Sequence, residues 1–259
     1  MGLRTLSLPA HNRHTHTVIF LHGRWFSAHG LSEQIWDSHD HRGQSLQHIF
    51  PSVKWVFPQA REVHIERLQQ TAQQWFDIWD ARKPDERREL QIPGLKNTVP
   101  ELTALIQSEA AYVGLDNVIL AGTSQGCAAA IHALLDFPHS GEVEEGRRLC
   151  AFIGFSGWMS LGDGSVRESR ELLGLAGPRV SDEVYRNTPV FIGHSADDMV
   201  VPIEEGQRLR DTLVTYGMDV TWKEYQNGGH WINVPQGIED VVAFLRSQGL
   251  ESTQLTGTP

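Results

Sequence analysis

A mostly parallel α/β fold, with a central sheet covered by helices on both faces, is predicted by three observations on this 259-residue sequence. Strand-like and helix-like segments alternate through most of its length. Several of the strand-like runs are apolar throughout, as in Val118-Ile119-Leu120-Ala121, which suits strands buried on both faces of a parallel sheet. Apolar residues make up 40% and charged residues 21%, an ordinary globular composition with no second region of different character.

In chain order, β-rich runs bounded by Gly, Pro, Asn or Asp stand at Thr17–Leu21, Val53–Phe57, Asn117–Ala121, Cys150–Phe155, Pro189–Gly193 and Val220–Tyr225, and each is predicted as a sheet strand. Helical spacing occupies Leu95–Val113, Gln125–Phe137, Ile203–Tyr216 and Gln236–Gln248 between them. The charged stretch Ala81–Glu89 and the Gly- and Arg-rich stretch Ser160–Asn187 interrupt the alternation and are predicted as loops or small excursions over the sheet. Residues 1–250 are expected to form one domain, with 251–259 a flexible tail.

Composition narrows the function classes. Lys and Arg total 22 against 32 Asp and Glu, a formal charge of −10, which disfavours a nucleic-acid partner. Neither a secretory leader nor an apolar run of membrane-spanning length is evident, so no stable membrane insertion and a cytoplasmic location are expected. Two cysteines, Cys127 and Cys150, are too few for a disulfide framework, and their separation leaves their pairing open. His11, His14 and His16 cluster, as do His39 and His41, but no cysteine or carboxylate pattern completes a metal site. No Gly-rich phosphate loop opens a helix, so neither a metal nor another cofactor is implied. Oligomeric state is left open.

The strongest chemical signal is Gly122-Thr123-Ser124-Gln125-Gly126. This G-x-S-x-G pattern lies directly between a predicted strand and a predicted helix, the context of the nucleophile turn of an α/β-hydrolase fold. A serine on so sharp a turn needs small neighbours, and glycine on each side supplies the room. A serine hydroxyl also needs a base, and the base a carboxylate to hold its tautomer. In this fold they follow in the order Ser, Asp, His. Asp197 and Asp198 lie just beyond the strand ending at Gly193, and His230 just beyond the strand ending at Tyr225, at strand ends where a parallel sheet gathers ligand-binding groups. Position alone separates His230 from an ordinary loop histidine and does not choose between the two aspartates. His22, His132 and His194 are read as structural. For the oxyanion, backbone donors are expected from Gln125, immediately after Ser124, and from Arg24, in the loop after the first predicted strand.

With these residues assembled, the chain resembles the acyl-protein thioesterase and carboxylesterase (phospholipase/carboxylesterase) family of α/β-hydrolases. The resemblance rests on Leu21-His22-Gly23, Trp75-Phe76-Asp77-Ile78, Gly122-Thr123-Ser124-Gln125-Gly126, Phe155-Ser156-Gly157, His194 through Pro202, and Gly229-His230. It implies an esterase or thioesterase whose acid stands four residues after His194, at Asp198, with an acyl ester, an acyl thioester or an S-acylated protein as substrate. Arg24, Trp25 and Phe26 stand where the family usually has a small, flexible run, Cys127 replaces a glycine after the nucleophile motif, and Ser195 replaces one after His194. Cys127 is read as a small buried packing residue. Trp25, Trp158 and Trp231 fall beside motifs expected to converge, and Trp75 and Phe76, with Trp79, form an aromatic cluster at near-helical spacing. Trp25, Trp75, Phe76, Trp158 and Trp231 are therefore expected to wall an acyl pocket, with core packing as the alternative. The same constellation would serve a lysophospholipase or a small-molecule esterase. A silent hydrolase fold used as a receptor is a second reading from another class, against which the candidate triad argues.

Overall fold

The computed structural model describes residues 2–137, 146–162, 164–175 and 183–252. Six strands lie where the sequence places them: β2 (His16–Leu21), β3 (Val53–Pro58), β6 (Val118–Thr123), β7 (Ala151–Phe155), β8 (Val190–Ser195) and β9 (Val220–Tyr225). A further strand, β1 (Thr5–Leu8), joins them in one seven-stranded sheet of order β1-β3-β2-β6-β7-β8-β9. Every pairing is parallel except β1 with β3.

Apolar strand residues feed two cores, one on each face of the sheet. Ile19, Leu21, Val118, Leu120 and Ile192 pack with the long helices α3 (Gln91–Val113) and α4 (Gln125–Leu135) and with α7 (Ile203–Thr215). Their neighbours Val18, Phe20, Ile119, Ala121 and Phe191 face the other way, against α1 (Ala28–Trp36), α2 (Leu46–Ile49) and α8 (Gln236–Ser247). The alternation along each strand explains why these runs are apolar throughout: both faces are covered.

Several elements depart from the sequence expectation. The helix α1 buries Ala28, Leu31, Ser32 and Ile35, a helical i, i+3, i+4, i+7 stripe capped by Ser27 accepting from the Gly30 N–H. The described part of Ser160–Asn187 holds two helices, α5 (Val166–Leu173), opened by a Ser165–Glu168 capping box, and α6 (Glu183–Asn187); residues 163 and 176–182 lie outside the described residues. A two-stranded ribbon, β4 (Glu62–Ile65) with β5 (Gln70–Gln73), precedes the Trp75 segment. That segment is irregular, so the near-helical spacing of Trp75, Phe76 and Trp79 marks no helix. Of the tail placed at 251–259, residues 253–259 lie outside the described residues.

Candidate active site

Four C-terminal ends of parallel strands converge on one small cleft. Ser124 links β6 directly to α4 with φ 54° and ψ −126°, a conformation that L-residues avoid and that costs about 1–3 kcal/mol. The surrounding glycines explain how it is held. A Cβ on Gly122 would lie 2.5 Å from the Cys127 nitrogen, and one on Gly126 would lie 2.4 Å from the Leu21 carbonyl oxygen and 2.5 Å from that of His22. The turn is thus wedged between its own helix and the end of β2, with the Ser124 N–H donating to the Phe155 oxygen at 2.8 Å.

Beyond β8, Asp198 is buried and its side chain has no exposed surface. One carboxylate oxygen accepts from the Val200 and Val201 amides at 2.8 and 3.0 Å. The other accepts from His230 Nδ1 at 2.7 Å and lies 3.3 Å from His194 Nε2. Burial pushes this carboxyl up, but the contacts from His194, His230 and Val201, with the charge of His230, outweigh it and hold Asp198 well below the usual carboxylate range. Asp197 is turned elsewhere and accepts from the Gly229 N–H at 2.8 Å. One aspartate thus touches the imidazole and the other shapes the loop that carries it.

The cleft has a volume of about 180 Å³ and is lined by Gly23, Arg24, Phe26, Gln34, Thr123, Ser124, His230 and Trp231. Larger hollows, of about 540 Å³ beside Arg4 and Gln73 and about 470 Å³ beside Arg88 and Glu168, contain neither Ser124 nor His230. The Arg24 and Gln125 amides have no hydrogen-bond partner among the described residues. Their loop is tightly supported from behind. His22 is buried, with Nδ1 2.7 Å from the Gly23 oxygen and Nε2 accepting from the Ala60 N–H at 3.1 Å. Burial lowers its pKa to about 4 despite the bond to Gly23, so it is neutral and structural.

Three residues expected as pocket walls belong instead to this support. Trp75, Phe76 and Trp158 are all fully buried. Trp75 Nε1 donates to the His22 oxygen at 2.7 Å, and the Gln125 side chain accepts from the Trp75 amide at 2.9 Å while donating to the Phe76 oxygen at 2.7 Å. The Trp-Phe-Asp segment is therefore a strap tying the nucleophile turn to the loop after β2. Trp158 stacks edge-on against Phe76 at 6.2 Å. Trp25, at φ 65°, projects outward with 52% of its surface exposed and does not line the cleft. Only Trp231 of the five lines it, its Nε1 donating to Ser38 Oγ at 3.2 Å. Phe26 and Gln34 are wall residues the sequence reading did not nominate. Gln34 lies on α1 and Phe26 one residue before its cap, so recognising that helix would have been the signal.

Comparison with known proteins decides the family. A model of the phospholipase/carboxylesterase family matches residues 8–248. The chain belongs to that family. It is 30% identical over 247 residues to acyl-protein thioesterase 1 of Gibberella zeae, covering 94% of each chain. It is likewise 30% identical over 262 residues to acyl-protein thioesterase 1 of Cryptococcus neoformans, covering 94% of this chain and 97% of the other. In fold it is similar to the crystal structure of Zea mays acyl-protein thioesterase 2, with a TM-score of 0.72 at 23% identity over 95% of this chain and 98% of that one. As a member of the family it is an α/β-hydrolase of carboxylic esters or acyl thioesters. Among the described residues no helix is long and apolar enough to cross a membrane, and no three His, Cys, Asp or Glu side chains are grouped to hold a metal ion. Cys127 and Cys150 are both buried free thiols, pushed up by burial to about 12 and about 11.

Proposed function

We propose that the chain hydrolyses its ester or thioester through an acyl-serine intermediate on Ser124, with His230 as base and Asp198 as the carboxylate that orients it. The supporting observation is the Asp198–His230 contact of 2.7 Å at the cleft that Ser124 lines. His230 Nδ1–H bound to Asp198 leaves Nε2 to take the serine proton as Oγ attacks the acyl carbon. The carbonyl oxygen becomes an oxyanion, for which the unpartnered Arg24 and Gln125 amides serve as donors. Collapse expels the alcohol or thiol, which takes the proton from His230. A water molecule then attacks the acyl-serine, gives its proton to the same nitrogen, and the carboxylic acid leaves as Ser124 regains its hydrogen.

An S-acylated protein is one substrate of this chemistry, suggested by the acyl-protein thioesterase relatives. A cytosolic setting suits the two buried free thiols, and we treat residues 1–250 as one catalytic domain. Ser124→Ala and His230→Ala are expected to lower kcat for p-nitrophenyl acetate and for an acyl thioester by at least about 10³-fold. Full activity in Ser124→Ala would discard the assignment.

A further inference from the structure

The cleft at Ser124 is small for a ligand pocket, and its smallness has an identifiable cause. Ligand pockets usually span about 300–1,000 Å³, whereas this one measures about 180 Å³. An apolar cavity of about 150 Å³ binds one benzene ring, so the space beside Ser124 matches about six carbons in size.

Three of its walls are fastened to one helix. The Phe26 ring lies against the first turn of α1 so closely that a Cβ on Gly30 would meet its Cζ at 2.9 Å and Cε2 at 3.1 Å. Gln34, one turn further along α1, lines the same space. Trp231 is tied by its indole N–H to Ser38, two residues beyond the helix. Arg24, which also lines the cleft, is held by Gln74, which accepts from Nε at 2.7 Å, and by Asp77 at 3.6 Å. Phe26 and Trp231 are the large apolar members of the lining; the others that carry long side chains, Arg24 and Gln34, present polar groups that an alkyl chain would desolvate without return.

We infer that this is a short-acyl site: it accommodates acyl groups of up to about six carbons, and Phe26 with Trp231, anchored on α1, sets the limit. The inference rests on Ser124 being the nucleophile of this cleft. Within the limit each added methylene is buried and raises kcat/KM about fourfold; beyond it the chain emerges into solvent and adds nothing.

The test is kcat/KM for wild-type protein across straight-chain p-nitrophenyl esters from acetyl to dodecanoyl, each below its aggregation concentration. The expected profile climbs to about hexanoyl and then stays level or falls. Phe26→Ala is expected to move that break to longer chains, whereas Trp25→Ala, which alters an exposed side chain outside the cleft, leaves the break where it is. A wild-type profile that keeps climbing from hexanoyl to dodecanoyl would overturn the short-acyl site while leaving the serine mechanism intact. Absence of hydrolysis for every ester would overturn both.

Discussion

Asp198 and Asp197 are chemically alike and adjacent, yet their hydrogen bonds separate them. Asp198 contacts His230 and Asp197 the Gly229 amide. Asp198→Asn would leave the shape intact but favour the wrong imidazole tautomer, with an expected fall in kcat of roughly 10³–10⁴-fold. Asp197→Asn keeps an oxygen for the Gly229 N–H and should cost less than about tenfold. Equal losses for the two variants, measured on the same ester, would contradict the division of roles. This choice was legible in the sequence only through the family register counted from His194, since both residues sit at the same strand end. The wall residues were less legible. Trp75, Phe76 and Trp158 stand beside the motifs in sequence, but burial turns them into support, while Phe26 and Gln34 reach the cleft through a helix that the reading did not place.

At the level of elements, β2, β3, β6, β7 and β8 were legible because their apolar runs are covered on both faces of the sheet, and the long helices because their buried residues recur at helical spacing. The misses share a physical cause. The ribbon β4–β5 is short, with exposed and half-buried positions and one fully buried residue, Ile65, and β1 alternates between exposed and half-buried positions at the sheet edge. In α1 the apolar stripe is diluted by His29, Gly30, Glu33 and Gln34. The element on which the site depends most is the β6–α4 turn, whose glycines are the most legible feature of the chain. Gly126→Ala would drive a Cβ into the Leu21 and His22 carbonyls, rigid groups at the end of β2. The expected cost is about 1–3 kcal/mol or more in urea unfolding, as for other overpacked positions, together with loss of hydrolysis. Wild-type stability and activity in that variant would show that the turn is not wedged as described.

Across the whole molecule, two buried histidines tie the functional face to the core. His22 braces the loop after β2, and His132, on α4, has Nε2 2.6 Å from the Ser160 oxygen. Burial lowers both from 6.5 to about 4, against the opposing effect of the Gly23 and Ser160 bonds. Because the folded pKa lies below the unfolded one, the unfolded chain binds more protons between these values. Their stabilisation is complete above about pH 6.5 and is lost as pH falls towards 4, by on the order of 3 kcal/mol for each. Urea midpoints should therefore fall between pH 7 and pH 5, and less steeply in His132→Gln; a flat profile would contradict the neutral, buried state of these rings. The same support holds Ser124 in its strained turn at the cleft. The proposed activation of Ser124, and of no other serine, is read from intact-protein mass after reaction with a fluorophosphonate. A single adduct on wild type and none on Ser124→Ala is the result expected; no adduct on either protein, or an adduct on both, would contradict the account.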